Sequence, residues 1–580
     1  MQVVVVPEAD GAGRVRVLPD GPGPSVLPDP PGLPDAAGAP GAAGAVGAPE
    51  KVDDLAAWMA ATEAAHAPRW VLPAADALYP DLLEAGVRLS RCHDLYLTEG
   101  ILLAFAGLPG RPRNLAAAWA RLHGLPEPDD PPPASRTEQP ALFEADREPL
   151  PAGADPLDAA VAVYADQQRR IALVPQPDRL RLLVAAESAG ALAAAEMRHH
   201  GLPWRADVHV ELLTSLLGPR PSPGARPRVL AGLAEEITAA FGLVGAPESR
   251  QVNPDNPASV VRAFARAGID VPSSRAHVLR EVEHPAVEPL LRYKELQRLW
   301  VANGWSWLDT WVHGGRFRPE YVVGGVVSGR WATRGGAALQ LPRALRTAVR
   351  ADPGWRLVVA DAAQLEPRVL GALSGDRAFA EVSAATDLYT TLAAEAFEGN
   401  RDHAKRAMLS AMYGGTAGGA GPLLARLRKR FPLAVDYVEQ AARAGEEGRM
   451  VRSRLGRTSP PPSEAWRALA GSADPATERR SREAARNWGR FTRNFVVQAS
   501  ASDWALTVLA TLRRRLANTD AQLVFFQHDE VLVHCPAATA DRVAAEVTAS
   551  AAEASRLVFG DTPVRFPLQA ATVDCYADAK

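Results

Sequence analysis

The sequence predicts an α+β chain of several domains, on three observations. At 580 residues the chain is too long for a single hydrophobic core, and domains of about 100–200 residues give three or four of them. Strand-like apolar runs at 354–361 and 522–534 each meet an acidic residue. Long segments before and between these runs repeat apolar residues at helical spacing. We therefore expect sheets and helices together, in more than one domain.

The first region, 1–175, is predicted to be an α/β domain. Runs typical of short strands and of helices alternate in it, at 69–72, 86–90, 98–106 and 115–122. Residues 11–50 are rich in Gly, Pro and Ala, and 125–156 are Pro-rich and acidic, so both are predicted to be loops or linkers. A helical domain is predicted at 176–315, because Ala-rich amphipathic segments dominate there.

Bulk composition excludes several classes of protein. A net charge of −3 gives no general signature of nucleic-acid binding, so any such contact depends on local arginine clusters. Three scattered cysteines, Cys92, Cys535 and Cys575, are too few for a disulfide framework or a zinc cluster. Neither a signal sequence nor an apolar run of the ~20 residues that cross a bilayer is evident. We expect a soluble, cytoplasmic protein that binds no membrane.

Two carboxylates are the candidate metal ligands. Asp361 ends the first strand-like run, and Asp529 lies at the tip of a predicted hairpin with Glu530 as an auxiliary acid beside it. Carboxylates from two strand ends can hold two Mg²⁺ ions roughly 3.5–4 Å apart, a geometry suited to phosphoryl transfer. A single acid at a strand end is more often solvated or a helix cap, so the prediction depends on the whole set of residues.

Four side chains share one face of a predicted helix, because Arg401, Lys405, Leu409 and Tyr413 recur at intervals of four. A triphosphate can lie along the cationic end of this face, with a base and sugar on the apolar end. An ordinary basic surface helix is the commoner meaning of such spacing. Two glycines directly after Tyr413 favour a binding site, since they let the helix end beside a bulky ligand.

These segments resemble motifs A, B and C of family A DNA polymerases. The three motifs correspond to Asp361 with Gln364-Leu365-Glu366, the helix at 401–414, and His528-Asp529-Glu530. The segments of the family that meet DNA are matched by Ser328-Gly329-Arg330 with Leu339-Gln340, and by Arg490, Asn494 and Gln498. The resemblance covers about 186–580. It implies a right-hand polymerase with a thumb at 176–315, a palm at 316–375 and 476–580, and fingers at 376–475.

The resemblance also implies a role for each matching residue. Asp361 and Asp529 would bind two Mg²⁺ ions, for which Mn²⁺ can substitute, and Lys405 would protonate the departing pyrophosphate. The implied contacts with the deoxynucleoside triphosphate are Arg401, Lys405, Leu409, Tyr413, Glu366 and Gln364, with Glu366 and Tyr413 excluding a ribose 2′-hydroxyl. The implied contacts with primer–template DNA are Arg330, Gln340, Arg490, Asn494, Gln498 and His528. A monomer that works near the nucleoid in replication or repair is expected.

Three departures from the family pattern bear on nucleotide selectivity. Leu409 stands where the family has Phe or Tyr, and Tyr389 falls where the family has a histidine. Ala362 and Ala363 replace Tyr-Ser. We expect polymerase activity to survive these changes and selectivity to differ from the family norm.

The first region resembles, more weakly, the ribonuclease H-like proofreading exonuclease domain of the same family. Asp94 and Asp166 would be its second and third acidic motifs. The Asp-x-Glu pair of the first motif is replaced by a valine run that leads into Pro7-Glu8-Ala9-Asp10. Without that pair, a two-metal site lacks its central ligands, and we expect negligible 3′–5′ exonuclease activity.

One linker segment resembles a docking peptide. Gln139-Pro140-Ala141-Leu142-Phe143 is similar to the Gln-x-x-Leu-Phe peptides by which bacterial polymerases bind the sliding clamp. Leu142 and Phe143 would anchor in an apolar pocket, and Gln139 would hydrogen-bond its rim. Because short motifs arise by chance, clamp binding is predicted on this resemblance alone.

Three alternatives stay open. A non-catalytic DNA-binding scaffold is disfavoured by the intact Asp361, Asp529, Lys405 and Tyr413. A single-subunit RNA polymerase shares the logic of the palm, but Glu366 favours deoxynucleotides. The third alternative is a bifunctional polymerase that retains some 3′–5′ exonuclease activity.

Overall fold

The computed structural model describes residues 1–579 except 20–46, 132–149, 152–153, 246, 248–250, 336–338, 340, 416–419 and 471–474. The chain forms two compact units. The first consists of Met1–His199, Tyr321–Ala332 and Val358–Ala571, and the second of His200–Glu320, Thr333–Leu357 and Thr572–Lys580. Both candidate metal ligands belong to the first unit.

A five-stranded sheet begins the first unit. Its strands are β1 (Gln2–Pro7), β2 (Gly13–Leu18), β3 (Glu50–Val52), β4 (Arg69–Leu72) and β5 (Arg91–Asp94), in the order β3-β2-β1-β4-β5. β1 pairs antiparallel with β2 and parallel with β4, and β4 pairs parallel with β5. The buried valines of β1 alternate between two apolar clusters, with Val3 and Val5 in one and Val4 in the other. The valine run therefore forms a strand that is covered on both faces.

In the part of this α/β region that the structure describes there are five α-helices: α1 (Leu55–His66), α2 (Ala75–Glu84), α3 (Leu95–Phe105), α4 (Leu115–Leu122) and α5 (Pro156–Ala172). The strand predicted at 86–90 is wrong. Gly86 has φ +78°, and the N–H of Val87 donates to the carbonyl of Leu82, so these residues end α2. The strand begins afterwards, at Arg91.

Helix α6 (Pro177–His200) packs against this region through a buried ion cluster. The Glu196 carboxylate accepts hydrogen bonds from the Tyr79 hydroxyl at 2.7 Å and from Arg513 Nη2 at 2.6 Å. The side chains of Glu196 and Arg513 are only 4% and 3% exposed. A buried pair of this kind is strongly destabilised when one partner is removed. The cluster therefore ties the N-terminal region to the C-terminal part of the same unit.

The second unit is mainly helical. Its elements up to 317 are β6 (Leu202–Pro203), α7 (Ala206–Leu217), α8 (Arg228–Ala240), α9 (Pro257–Arg266), α10 (Ala276–Leu279), α11 (Val287–Asn303), α12 (Trp305–Trp311), β7 (Val312–His313) and β8 (Arg316–Phe317). The ring of Trp307 packs against those of Trp204 and Phe317, with centroids 5.2 and 4.9 Å away. This aromatic cluster fixes the short strands beside the helices.

Six further strands follow among the residues described after 319. β9 (Glu320–Val322) and β10 (Ala332–Arg334) form a two-stranded sheet. A four-stranded sheet contains β11 (Trp355–Ala362), β12 (Gln522–Gln527), β13 (Glu530–Pro536) and β14 (Leu568–Val573), in the order β12-β13-β11-β14. β12 and β13 pair antiparallel as a hairpin. The two acidic segments of the sequence thus lie on neighbouring strands of one sheet.

Among the described residues after β11, nine α-helices occur: α13 (Leu365–Ser374), α14 (Arg377–Ser383), α15 (Leu388–Ala396), α16 (Arg401–Tyr413), α17 (Ala420–Arg430), α18 (Pro432–Glu446), α19 (Glu464–Ala470), α20 (Pro475–Arg515) and α21 (Ala540–Phe559). A large apolar core joins residues of β11, α13, α16, α18, α20 and α21. The mixed architecture confirms the predicted α+β class.

Part of α20, Thr477–Arg515, is long and apolar enough to cross a membrane by length and composition alone. Its most apolar window, however, is 89% buried inside the protein. The sequence was expected to hold no apolar run of this length. Burial to this extent is typical of a helix in the core of a protein.

Candidate active site

The four-stranded sheet brings Asp361 and Asp529 together. Residues 357–360 of β11 are buried, and the half-buried Asp361 follows them, one residue before the strand ends. Gln527 pairs with Glu530, so His528 and Asp529 form the two-residue turn of the hairpin, with φ +59° at His528. The N–H of Ala362 donates to the carbonyl of Asp529 at 3.2 Å. The strand end and the hairpin turn are therefore directly hydrogen-bonded.

The charge of Asp361 contributes to the environment of the Asp529 carboxylate. Burial, and then the negative charge of Asp361, raise the pKa of Asp529 to about 7. Two carboxylates that repel in a partly buried site are suited to hard divalent cations, which prefer oxygen ligands. Glu530 is more deeply buried than these two acids, with only 5% of the residue exposed. No group of three or more His, Cys, Asp or Glu side chains with metal-binding geometry occurs among the described residues.

Glu366 links two other predicted site residues. Its Oε1 accepts a hydrogen bond from Arg330 Nη2 at 2.5 Å, and its Oε2 accepts one from the Tyr413 hydroxyl at 2.6 Å. Burial and this hydrogen bond raise the pKa of Tyr413. The carboxylate thus joins the 328–330 segment, the start of α13 and the end of α16.

Helix α16 presents the four side chains on its solvent side. Its buried face consists of Ala404, Ala407, Met408, Ala411 and Met412. Arg401 and Lys405 are exposed, and Leu409 and Tyr413 are 38% and 40% exposed. A cleft of about 220 Å³ lies beside the apolar end, lined in part by Arg330, Glu366, Tyr389, Leu409, His528 and Asp529. Arg401 and Lys405 are not among the described residues that line it.

Gln364 is tied to a neighbouring loop. It adopts φ +56° before α13, its Nε2 donates to Asp387 Oδ1 at 2.8 Å, and its Oε1 accepts the N–H of Leu388 at 2.8 Å. Asp387 Oδ2 also accepts a hydrogen bond from Arg401 Nε at 3.1 Å. Nucleotide contact by Gln364 stays a prediction.

The segment that carries Arg330 is held by a buried ion cluster. Arg457 pairs with Glu187 at 2.7 Å and with Asp503 at 2.9 Å. Gly329 has φ +83°, and a Cβ built there would lie 2.3 Å from Arg457 Nε. Any larger residue at 329 would therefore clash with the guanidinium group. The sequence did not predict this cluster, because Arg457 is 270 residues from Glu187 and 46 residues from Asp503.

Two further structural residues were missed. Arg368 is fully buried and donates to backbone carbonyls of Ala363, Ser383, Ala385, Thr386 and Arg565. Asp387 receives the Gln364 and Arg401 hydrogen bonds described above. A signal for Arg368 exists in the sequence, since it lies four residues after Gln364 in the first motif, but its partners are loop carbonyls that no pattern marks.

Of the predicted DNA contacts on α20, Arg490 lies near the end of α16. Arg490 is exposed, and Asn494 and Gln498 are half-buried. A Cβ at Gly414 would lie 3.0 Å from Arg490 Cγ, so the two helices approach closely there. Gln340 lies outside the described residues, as do Gln139, Leu142 and Phe143 of the predicted clamp peptide.

The acids of the N-terminal region have a different environment. Asp94 is 2% exposed and accepts the N–H groups of Ala75 and Leu97 at 2.7 and 2.8 Å, so it caps α3. Burial raises its pKa to about 7. Asp166 is 4% exposed and pairs with Arg170 at 2.7 Å. Both acids are thus satisfied from within the protein.

The profile of DNA polymerase family A matches residues 263–572, more than half of the chain. The thermostable DNA polymerase I of Thermus thermophilus is 28% identical over 296 residues, which cover 46% of this chain and 34% of that protein. DNA polymerase I of Chloroflexus aurantiacus is 26% identical over 296 residues, or 46% of this chain and 30% of that protein. The matched segments thus span about a third of these relatives.

The fold has a counterpart among solved structures. The polymerase domain of Pol1 from M. smegmatis, in complex with DNA primer–template and dNTP, superposes with a TM-score of 0.68 at 18% identity. The match covers 100% of this chain and 95% of that one. The fold is that of a polymerase domain of this kind. The chain belongs to DNA polymerase family A.

Proposed function

We propose that the chain is a template-directed DNA polymerase, which adds deoxynucleotides to a primer 3′-hydroxyl during DNA replication or repair. Family membership supports the proposal. The observation that carries it is the hydrogen bond from the Ala362 N–H to the Asp529 carbonyl, which sets Asp361 beside Asp529. Primer–template DNA and the four deoxynucleoside triphosphates are the proposed partners, and the active form is a monomer.

Asp361 and Asp529 are the proposed ligands of two Mg²⁺ ions, for which Mn²⁺ can substitute. The donor set fits, because both groups are carboxylates, and a cation would offset the burial and the negative charge of Asp361 that together raise the pKa of Asp529. Family A polymerases generally use divalent metal ions. When bound, such ions stabilise charge on the attacking and leaving oxygens of phosphoryl transfer. Glu530 is an auxiliary acid in this proposal.

Arg401 and Lys405 would bind the triphosphate, since both are exposed cations on one face of α16. Lys405 would also supply a proton to the pyrophosphate oxygen as the bond to the α-phosphorus breaks. Leu409 and the nearby Gln364 complete the proposed nucleotide site. The Glu366–Tyr413 hydrogen bond makes a wall at the cleft that would exclude a ribose 2′-hydroxyl.

The proposed DNA contacts are Arg330, Gln340, Arg490, Asn494, Gln498 and His528. Arginines near this set, such as Arg486 and Arg493, would neutralise backbone phosphates without reading sequence. Base pairing with the template would then choose the nucleotide.

Primer extension tests the proposal. Asp529→Asn keeps the size of the side chain and removes its charge, so we expect single-nucleotide incorporation with Mg²⁺ to fall by about 10²–10³-fold. Asp541→Asn is the matched control, because Asp541 is an exposed acid in the first turn of α21. Extension by Asp529→Asn at the wild-type rate would eliminate the proposed enzyme, and absence of extension by wild type would favour the non-catalytic scaffold.

The sugar of the incorporated nucleotide distinguishes a DNA polymerase from the alternative, a single-subunit RNA polymerase. Because Glu366 is held by Arg330 and Tyr413 at the cleft, the wild type is expected to incorporate deoxynucleotides in preference to ribonucleotides. Comparison of the two sugars on one primed template decides between the enzymes.

We also propose that 3′–5′ exonuclease activity has been lost. The burial of Asp94 and the pairing of Asp166 with arginine support this, since neither acid is available to a metal ion. Residual activity in a bifunctional enzyme is the alternative.

Clamp binding and cellular location are proposed on sequence grounds. The peptide at 139–143 resembles clamp-docking peptides, and Leu142→Ala with Phe143→Ala should abolish binding to a bacterial sliding clamp in a pull-down assay. Unchanged binding would remove the clamp from the list of partners. A cytoplasmic enzyme associated with the nucleoid is proposed, because its substrate is chromosomal DNA.

A further inference from the structure

Asp387 connects three parts of the candidate site. Its Oδ1 accepts hydrogen bonds from Gln364 Nε2 at 2.8 Å and from the N–H groups of Tyr389 and Thr390 at 3.0 and 3.3 Å. Its Oδ2 accepts the Thr390 hydroxyl at 2.9 Å and Arg401 Nε at 3.1 Å. One carboxylate therefore caps α15, binds the turn after β11 and binds the first residue of α16. No motif assigns it a role.

Arg401 is held side-on by this carboxylate. The contact uses Nε, and no described residue accepts a hydrogen bond from its two terminal nitrogens. The guanidinium carbon also lies 5.5 Å from the centroid of the Tyr389 ring, within cation–π distance. An arginine fixed in this way keeps two parallel N–H donors for a phosphate group, the geometry of bidentate recognition.

We propose that Asp387 is a positioning residue for triphosphate binding, which orients the guanidinium of Arg401 toward the phosphates of the incoming nucleotide. The inference rests on the proposed polymerase function. It also assigns the ring of Tyr389 to the same task, through its cation–π contact with the guanidinium group.

A competing role, in which Asp387 withholds Arg401 from the nucleotide, fits the contacts less well. The carboxylate is fixed by its bonds to Gln364, Thr390 and the α15 N-terminus, so it stays in place when a ligand arrives. Burial works against its ionisation, but hydrogen bonds from Arg401, Gln364 and Thr390 outweigh burial and lower the pKa of Asp387 well below its usual value. A fixed, ionised carboxylate that occupies only Nε supports the cation without blocking its terminal nitrogens.

Asp387→Asn is the appropriate substitution, because asparagine caps a helix about as well as aspartate. In single-nucleotide extension, KM for the nucleotide should rise about fivefold, as expected for a half-exposed ion pair worth up to about 1 kcal/mol. The value of kcat should stay within about twofold. The same factor should apply to all four nucleotides, since the contact is with phosphate rather than base. Asp54→Asn, at the exposed N-cap of α1, is the matched control and should change neither constant.

A double-mutant cycle separates positioning from a purely structural role. If Asp387 acts through Arg401, adding Asp387→Asn to Arg401→Ala should raise KM no further. Tyr389→Leu should raise KM as well, and Tyr389→Phe, which keeps the ring, should restore most of the loss. An unchanged KM in Asp387→Asn, or an undiminished effect in the Arg401→Ala background, would overturn the inference.

Binding of inorganic triphosphate keeps the two proposals distinguishable. Calorimetry with this ligand needs no turnover, so it reports on Arg401 even if the wild type extends no primer. Binding that is about fivefold weaker in Asp387→Asn supports the positioning role, whereas equal binding contradicts it. Failure of the proposed polymerase function would appear separately, as wild-type protein that binds triphosphate and does not extend.

Discussion

The carboxyl groups of Asp529 and Asp94 both have their pKa raised to about 7, yet their surroundings differ. Asp529 lies in a hairpin turn beside a second acid and lines a cleft. Asp94 is enclosed, and it uses its oxygens to bind the N–H groups of Ala75 and Leu97. The pKa of Asp529 is raised by burial and by the neighbouring charge of Asp361, whereas that of Asp94 is raised chiefly by burial.

The acids around Asp94 strengthen the contrast. Asp166 and Glu99 are both buried and share the guanidinium of Arg170 as a counterion. Glu99 is also paired with Arg121 at 3.4 Å. For Asp529 at the cleft, the charge of Arg330 lowers the pKa, but burial and the charge of Asp361 outweigh it. A raised pKa therefore does not by itself mark a metal site, since it arises both in a hairpin turn on a cleft and in an enclosed helix cap.

The largest effect we expect in this comparison follows from Arg170→Met. The substitution removes the shared counterion of Glu99 and Asp166, and breaking a buried pair of this kind costs about 3 kcal/mol of unfolding free energy. Arg169→Met is the matched control, since Arg169 also pairs with Asp166 but is 59% exposed. Its loss should cost less than about 1 kcal/mol. Urea unfolding measures both, and equal losses would show that Arg170 is not the dominant counterion.

A smaller effect should separate the two acid sites by their response to Mg²⁺. At a Mg²⁺ concentration about five times its dissociation constant, binding should add ~1 kcal/mol to the unfolding free energy. Asp361→Asn should abolish this increment, and Asp166→Asn should retain it. If Mg²⁺ stabilises the Asp361→Asn variant as much as wild type, the cation binds elsewhere.

The smallest effect concerns turnover. Because Asp166 is buried and paired, Asp166→Asn should leave primer extension within about twofold of wild type. A labelled 3′ end should stay intact when wild-type protein and Mg²⁺ are present without nucleotides. Degradation that disappears in Asp94→Ala would instead reveal a working exonuclease and remove the contrast between the two regions.

Local patterns predicted much of the fold that carries the palm acids. The apolar run before Asp361 and the two runs around Asp529 became β11 and the β12–β13 hairpin, because each contains its own alternation and turn residues. The spacing from Arg401 to Tyr413 likewise became one helix. The strand predicted at 86–90 is wrong for a local reason as well. Gly86, with its positive φ, belongs to the turn that follows α2, and the apolar residues after it resemble a strand in sequence alone.

Contacts between residues far apart in the sequence could not be predicted from local patterns. Arg457 finds Glu187 across 270 positions of sequence, and Arg513 finds Glu196 across 317. Neither pair has a spacing that a periodicity can detect. Asp387 was visible only as the neighbour of an unusual tyrosine, because its role depends on Gln364 and Arg401 arriving from other elements. Charge clusters of this kind become apparent only when the chain is folded.

Helix α20 is 41 residues long, so it extends about 60 Å. Arg490, towards its beginning, packs on Gly414 at the end of α16, while Arg513, near its other end, is buried with Glu196 and Tyr79. A continuous rod anchored at one extremity resists tilting at the other. Removal of the N-terminal region would take Tyr79 away from the buried Arg513 guanidinium, and we expect the support of α20 to loosen as far as the point where Arg490 meets Gly414.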